Sequence, residues 1–107
     1  MGSLVHAPLE VPNEWMSRFD FMTDDTPTKD RQTYAAMLSY LDEELGNLTA
    51  LLKSKRMWEA DGTKGSRGTL MIVQSDNGGP IYGGGGANNW PLKGSKVSNW
   101  EVNRFWR

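Results

Sequence analysis

Tyr34, Met37, Leu38, Leu41, Leu45, Leu48 and Leu52 recur at steps of three and four, the spacing that lines side chains along one face of an α-helix. The stripe predicts a long helix ending near Arg56. Its entry reads from Asp24-Asp25-Thr26-Pro27: Thr26 can cap, Pro27 suits the first helical position, and the aspartates favour the positive end of the helix dipole. The same electrostatics accounts for Asp24, Asp25 and Asp30 without a metal. Lys53, Lys55 and Arg56 complement the negative end. Gly46 weakens the middle by about 1 kcal/mol relative to alanine unless close packing requires it. An apolar face of this length is core, and it needs a sheet or a partner helix to cover it.

The best candidate for that cover is short. Residues 69–74, Thr-Leu-Met-Ile-Val-Gln, are apolar at most positions and β-branched at three, which predicts a buried strand, as in a parallel sheet. The expected fold class is α/β, with the helix packed on a short sheet or single strand and an irregular loop beyond Gln74. One strand alone cannot cover the stripe. The run empties into Ser75-Asp76-Asn77-Gly78-Gly79, and ligands gather at the carboxyl ends of strands in open α/β sheets. Asp76 and Asn77 offer hard oxygens suited to Ca²⁺ or Mg²⁺, and the glycines let the backbone turn tightly enough for both to face one ion. Asn-Gly is also the strongest short-range signal for a hairpin turn. Both readings stand on these residues.

Pro8 and Pro12 make residues 1–25 an extended segment, with Trp15, Phe19 and Phe21 as packing anchors. Residues 62–68 read as a basic, glycine-rich loop; no Gly-Lys-Ser/Thr opens a helix there, so a phosphate-cradling role has little support. Gly83 to Gly86 read as a mobile lid or spacer. With a net charge of −1 over 107 residues, the chain as a whole does not read as a nucleic-acid binder. It has no apolar stretch of membrane-spanning length, and its opening residues are too short for a signal peptide. His6 stands where a myristoylation pattern needs Ser or Thr. The absence of cysteine excludes disulfides, thiolate zinc sites and a cysteine nucleophile from this chain. Asn47-Leu48-Thr49 is an N-glycosylation acceptor sequence; Leu48 belongs to the stripe and Asn47 can point outward. Five tryptophans are better explained by packing than by base stacking.

Several ordered motifs carry a resemblance. Ser75-Asp76-Asn77-Gly78-Gly79, a glycine-rich spacer, Asn88-Asn89-Trp90-Pro91-Leu92-Lys93-Gly94-Ser95-Lys96 and Trp100-Glu101 resemble the metal-site segment of the sulfatases, especially the arylsulfatase B (N-acetylgalactosamine-4-sulfatase) branch. His6 to Pro12 resembles that branch's histidine-bearing segment, and Tyr34 to Met37, Asp42-Glu43 and Gly46-Asn47 resemble its following helix. The resemblance divides the chain into a histidine-bearing segment (1–25), a helix (26–57), a strand and metal-ligand loop (69–79), a glycine-rich and Asn-Asn-Trp-Pro-Leu segment (80–101) and a divergent tail (102–107).

The resemblance implies part of an alkaline-phosphatase-like fold and hydrolysis of a sulfate ester, with a sulfated sugar among the candidate substrates and the substrate itself not readable from these residues. In that family a Cys or Ser in Cys/Ser-x-Pro-x-Arg becomes formylglycine, whose hydrate attacks sulfur beside a divalent ion, usually Ca²⁺. On this chain Asp76 and Asn77 fall on two of the ion's ligands, Lys96 on the cation that contacts sulfate oxygens, and His6 on the imidazole near the leaving oxygen; Lys93 is structural or peripheral. No serine here stands two residues before a proline in that motif, and the two further aspartates and the lysine–histidine pair of the usual pocket have no counterparts. The expectation is therefore a truncated or mispredicted sulfatase, inactive alone and dependent on the remainder of the domain. A non-catalytic remnant or interaction module, or a phosphonate or phosphodiester hydrolase of the same superfamily, are the alternatives. The family's usual setting is secretory, lysosomal or extracellular.

Overall fold

The computed structural model describes residues 5–22, 28–58, 68–81 and 86–100. The expected helix entry at 24–27, nearly all of the basic loop at 62–68, the glycines at 83–85, Glu101 and the tail at 102–107 lie outside the described residues. Pro8 and Pro12 hold the first segment extended only as far as Pro12. There the Pro12 carbonyl accepts from the Trp15 and Met16 amides at 2.9 and 3.4 Å, opening α1 over Asn13–Met16. A 3-10 turn follows over Ser17–Phe19. The segment expected to be extended throughout thus folds into a short helical hook, because proline fixes a φ that also suits a helix start.

The long helix, α2, runs over Thr28–Ser54. Its end is a Schellman-type cap: Arg56 takes a left-handed φ of 55°, while the amides of Arg56 and Met57 bond to the Lys53 and Leu52 carbonyls at 3.0 and 2.9 Å. These bonds satisfy carbonyls that the helix itself leaves open. Inside α2, Thr33 and Thr49 donate back to the carbonyls of Lys29 and Leu45, both at 2.8 Å.

The hook packs on α2 between Gln32 and Glu43. Trp15 is buried and meets Tyr40 edge-on, with ring centroids 5.2 Å apart and planes at 79°, a favoured aromatic geometry. The Arg18 guanidinium lies 3.7 Å from the Trp15 ring centroid and 3.4 Å from the Glu43 carboxylate. Gln32 donates to the Phe19 carbonyl and to the Asp20 side chain. Phe19 is half-buried, but Phe21, expected as an anchor, is exposed, with the Phe19 ring 6.0 Å away.

The covered face of α2 is Thr33, Ala36 and Met37, with Tyr40 half-buried. Its centre lies about 100° around the helix from the centre of the apolar stripe, one residue's worth of rotation. The stripe is therefore not core here: of its members only Met37 is buried, Leu38 and Leu48 are exposed, and the others are half-buried. The hook covers one edge of the stripe and leaves its middle open.

No strand forms among the described residues. Leu70 is 84% exposed and Ile72 72% exposed, so the strand expected to be buried over 69–74 is an uncovered arm, tied to the end of α2 by the Thr69 hydroxyl donating to the Met57 carbonyl. A strand is stable only with neighbours to pair with and a face to bury, and the described residues supply neither. No ladder flanks Asn77-Gly78 among the described residues. A radius of gyration of 17.3 Å exceeds the roughly 13 Å of a compact chain of this length, as expected where so much apolar surface stays outside. No helix among the described residues is long and apolar enough to cross a membrane.

Candidate functional site

His6 and Lys96, 90 residues apart in sequence, meet: the Lys96 Nζ stands 3.1 Å from the His6 Nε2. His6 Nδ1 lies 2.8 Å from the Ala7 carbonyl oxygen. An ammonium has only hydrogens to give and a carbonyl only lone pairs. With Lys96 as donor, the two contacts match an imidazole that carries its hydrogen on Nδ1, donating to Ala7, and accepts from Lys96 at Nε2. His6 is exposed and Lys96 half-buried, so the pair faces solvent while the lysine stem is supported.

The loop that carries Lys96 is built by small side chains closing on backbone. Ser98 Oγ donates to the Ser95 carbonyl at 2.8 Å and accepts from the Ser95 amide at 2.9 Å, and the Ser95 hydroxyl donates to the Lys96 carbonyl at 3.0 Å. Gly94 sits at a φ of 109°, where a Cβ would come within 2.6 Å of Trp100 Cβ and Ser98 Oγ. Only glycine suits that position. On the other side, Trp90's amide donates to the Asn88 side chain at 3.0 Å and the Leu92 amide to the Asn89 carbonyl at 2.9 Å, local turns of the kind Asn favours.

Asp76 and Asn77 lie three and two residues before Gly79, and Gly79 is where their loop joins the Lys96 loop. The Lys96 amide donates to the Gly79 carbonyl at 3.3 Å. A Cβ on Gly79 would lie 2.3 Å from Ala87 Cβ, so the Gly79 backbone packs directly on the Ala87 methyl. Gly86, at a φ of 62°, presses in turn on the backbone of Asp30 and Arg31, which seats the loop against the first turns of α2. Asp76 is exposed and Asn77 half-buried, with the Ser75 hydroxyl donating to the Asn77 carbonyl at 2.5 Å.

A carboxylate and an amide oxygen are the donor chemistry that Ca²⁺ or Mg²⁺ takes, but Ca²⁺ gathers about six to eight oxygens. Among the described residues no three His, Cys, Asp or Glu side chains converge on one point. Asp76 and Asn77 fit a share of a metal site, not a complete one.

Sequence reasoning passed over Asn89 except as one letter of a motif. Its side chain accepts from the Gly79 amide at 2.9 Å and donates to the Gly79 and Gly94 carbonyls at 2.8 and 3.1 Å. Asn47 is exposed on α2.

The Sulfatase family model matches residues 3–104. Arylsulfatase J of Mus musculus is 37% identical over 97 residues, covering 91% of this chain and 14% of that protein. The chain thus spans about 14% of the length of that curated relative.

Proposed function

The chain belongs to the sulfatase family, and we propose that it supplies the histidine–lysine side of a sulfate-ester hydrolysis site completed by the rest of a sulfatase domain. Membership implies an alkaline-phosphatase-like fold, action on sulfate esters and a general dependence on metal. The observation that carries the proposal is the 3.1 Å contact between His6 and Lys96, formed on a loop that hydrogen-bonds to Gly79, just beyond Asp76 and Asn77.

An ammonium has three hydrogens and spends one on His6, so the others can reach sulfate oxygens. Its charge offsets the negative charge that gathers there as the S–O bond breaks. His6, once it takes a proton on Nε2, becomes a donor towards the leaving oxygen, the role of a general acid. Asp76 and Asn77 are the residues that would hold part of a divalent ion, Ca²⁺ by resemblance, whose chemistry is polarisation of the sulfate. The finer resemblance to the arylsulfatase B branch favours a sulfated sugar as substrate and a secretory setting, where Asn47 would be glycosylated.

The test is a titration of the isotopically labelled chain with inorganic sulfate, against sodium chloride of matched ionic strength to remove screening effects, together with an assay on 4-nitrocatechol sulfate. Sulfate should move the NMR signals of His6 and Lys96, Lys96→Ala should abolish the response, and the isolated chain should show no turnover. Identical responses to sulfate and chloride would remove the anion-binding role. Turnover that vanishes in Asp76→Ala would require a nucleophile within these 107 residues.

A further inference from the structure

We propose that Asn89 is a positioning residue: its side-chain amide clamps the loop carrying Asp76 and Asn77 to the loop carrying Lys96, and so sets the Lys96–His6 contact. The inference rests on the sulfatase reading for its purpose, but its geometry stands independently. Asn89 treats Gly79 as a neighbouring strand would, accepting from its N–H at 2.9 Å and donating to its carbonyl at 2.8 Å. The second hydrogen on Asn89 Nδ2 goes to the Gly94 carbonyl at 3.1 Å, two residues before Lys96. One planar group therefore bonds to both loops, and both Nδ2 hydrogens are used.

Two further features make the clamp specific. Gly79 approaches Ala87 so closely that a Cβ would collide with it, which lets the Asn89 amide reach both polar groups of one residue. The Gly79 carbonyl also accepts from the Lys96 amide, so both its lone pairs are engaged and the clamped atom is itself the point where the Lys96 backbone attaches. Asn89 is half-buried; its bonds are partly shielded from competing water, which raises the cost of breaking them. Beyond this clamp, Lys96 depends on a long flexible stem, and a stem directed from a displaced backbone would not find Nε2.

The consequence can be read in the imidazole itself, without turnover. In the intact chain, ¹⁵N NMR of His6 should report the Nδ1–H form, fixed by Lys96 on one side and Ala7 on the other. Asn89→Ala should release it to the tautomer mixture of an unconstrained imidazole and abolish the response of His6 to inorganic sulfate, while the far-ultraviolet circular dichroism of α2 stays unchanged. Asn89→Asp keeps an acceptor for the Gly79 amide but loses both donated bonds, and should release His6 as Asn89→Ala does. Asn47→Ala, on the exposed face of α2, controls for loss of an asparagine elsewhere and should leave the tautomer as it is. Retention of the Nδ1–H form in both Asn89 variants would overturn the proposal, as would loss of the helical signal alongside the tautomer, because Asn89 would then serve general folding. A wild-type chain indifferent to sulfate but with its tautomer dependent on Asn89 would uphold the clamp and sink the sulfate reading instead.

Discussion

The first half of α2 and the arm over residues 69–74 are both apolar, yet one is packed and the other bare. Trp15, Ala36 and Met37 are buried against one another's elements, whereas Leu70, Ile72 and Val73 stand in solvent. The difference lies in where each element finds its partner. A helix satisfies its backbone internally and needs only one face covered, and the hook that covers it lies a few residues upstream. A strand has no internal hydrogen bonds to rely on; its donors and acceptors need a neighbour.

The largest effect should come from substituting the packed side. Trp15→Ala removes a buried ring that contacts Tyr40 and supports Arg18, a loss of about 3–5 kcal/mol by analogy with other large core truncations. Hydrogen exchange at the α2 amides near Ala36 and Met37 should accelerate accordingly. Ile72→Thr, at an equally apolar position of the arm, should change stability by less than about 0.5 kcal/mol, as exposed substitutions do. Similar costs at the two positions would mean that the arm is buried in solution and that the contrast is mistaken.

That contrast also separates what sequence reveals from what it does not. The periodicity from Tyr34 to Leu52 is local, and α2 occupies Thr28–Ser54. Which face would be covered was not local: the stripe pointed to one side, and Trp15 settled on an edge of it, against Tyr40. The strand signal at 69–74 reports a side-chain preference whose fulfilment depends on other chain. His6 and Lys96 were picked out by resemblance and the structure brings them together, but nothing in the residues around Asn89 announced that its side chain would tie Gly79 to Gly94. Such a contact depends on three backbone groups arriving in one place.

Gly46 gives a smaller effect of opposite sign. A Cβ built there meets nothing within 4 Å, so the close packing that would justify a glycine inside α2 is absent from the described residues. Gly46→Ala should stabilise the helix by about 1 kcal/mol, measured as a higher midpoint of urea unfolding followed by circular dichroism. Destabilisation would show that a surface presses on Gly46 in solution, and hence that the later half of α2 is as covered as the first.

The smallest effect concerns how the hook is held. Arg18 faces both the Trp15 ring and the Glu43 carboxylate, and the ion pair is half-exposed on each side. Such pairs contribute about 0–1 kcal/mol and weaken with salt, whereas the guanidinium over the ring also covers apolar surface with its stem. Glu43→Gln should therefore cost less than about 0.5 kcal/mol, with the loss disappearing at high salt, and Arg18→Ala should cost more and keep its cost there. Equal, salt-sensitive losses from both substitutions would assign the hook's attachment to charge, and the packed half of α2 would then owe less to Trp15 than its burial indicates.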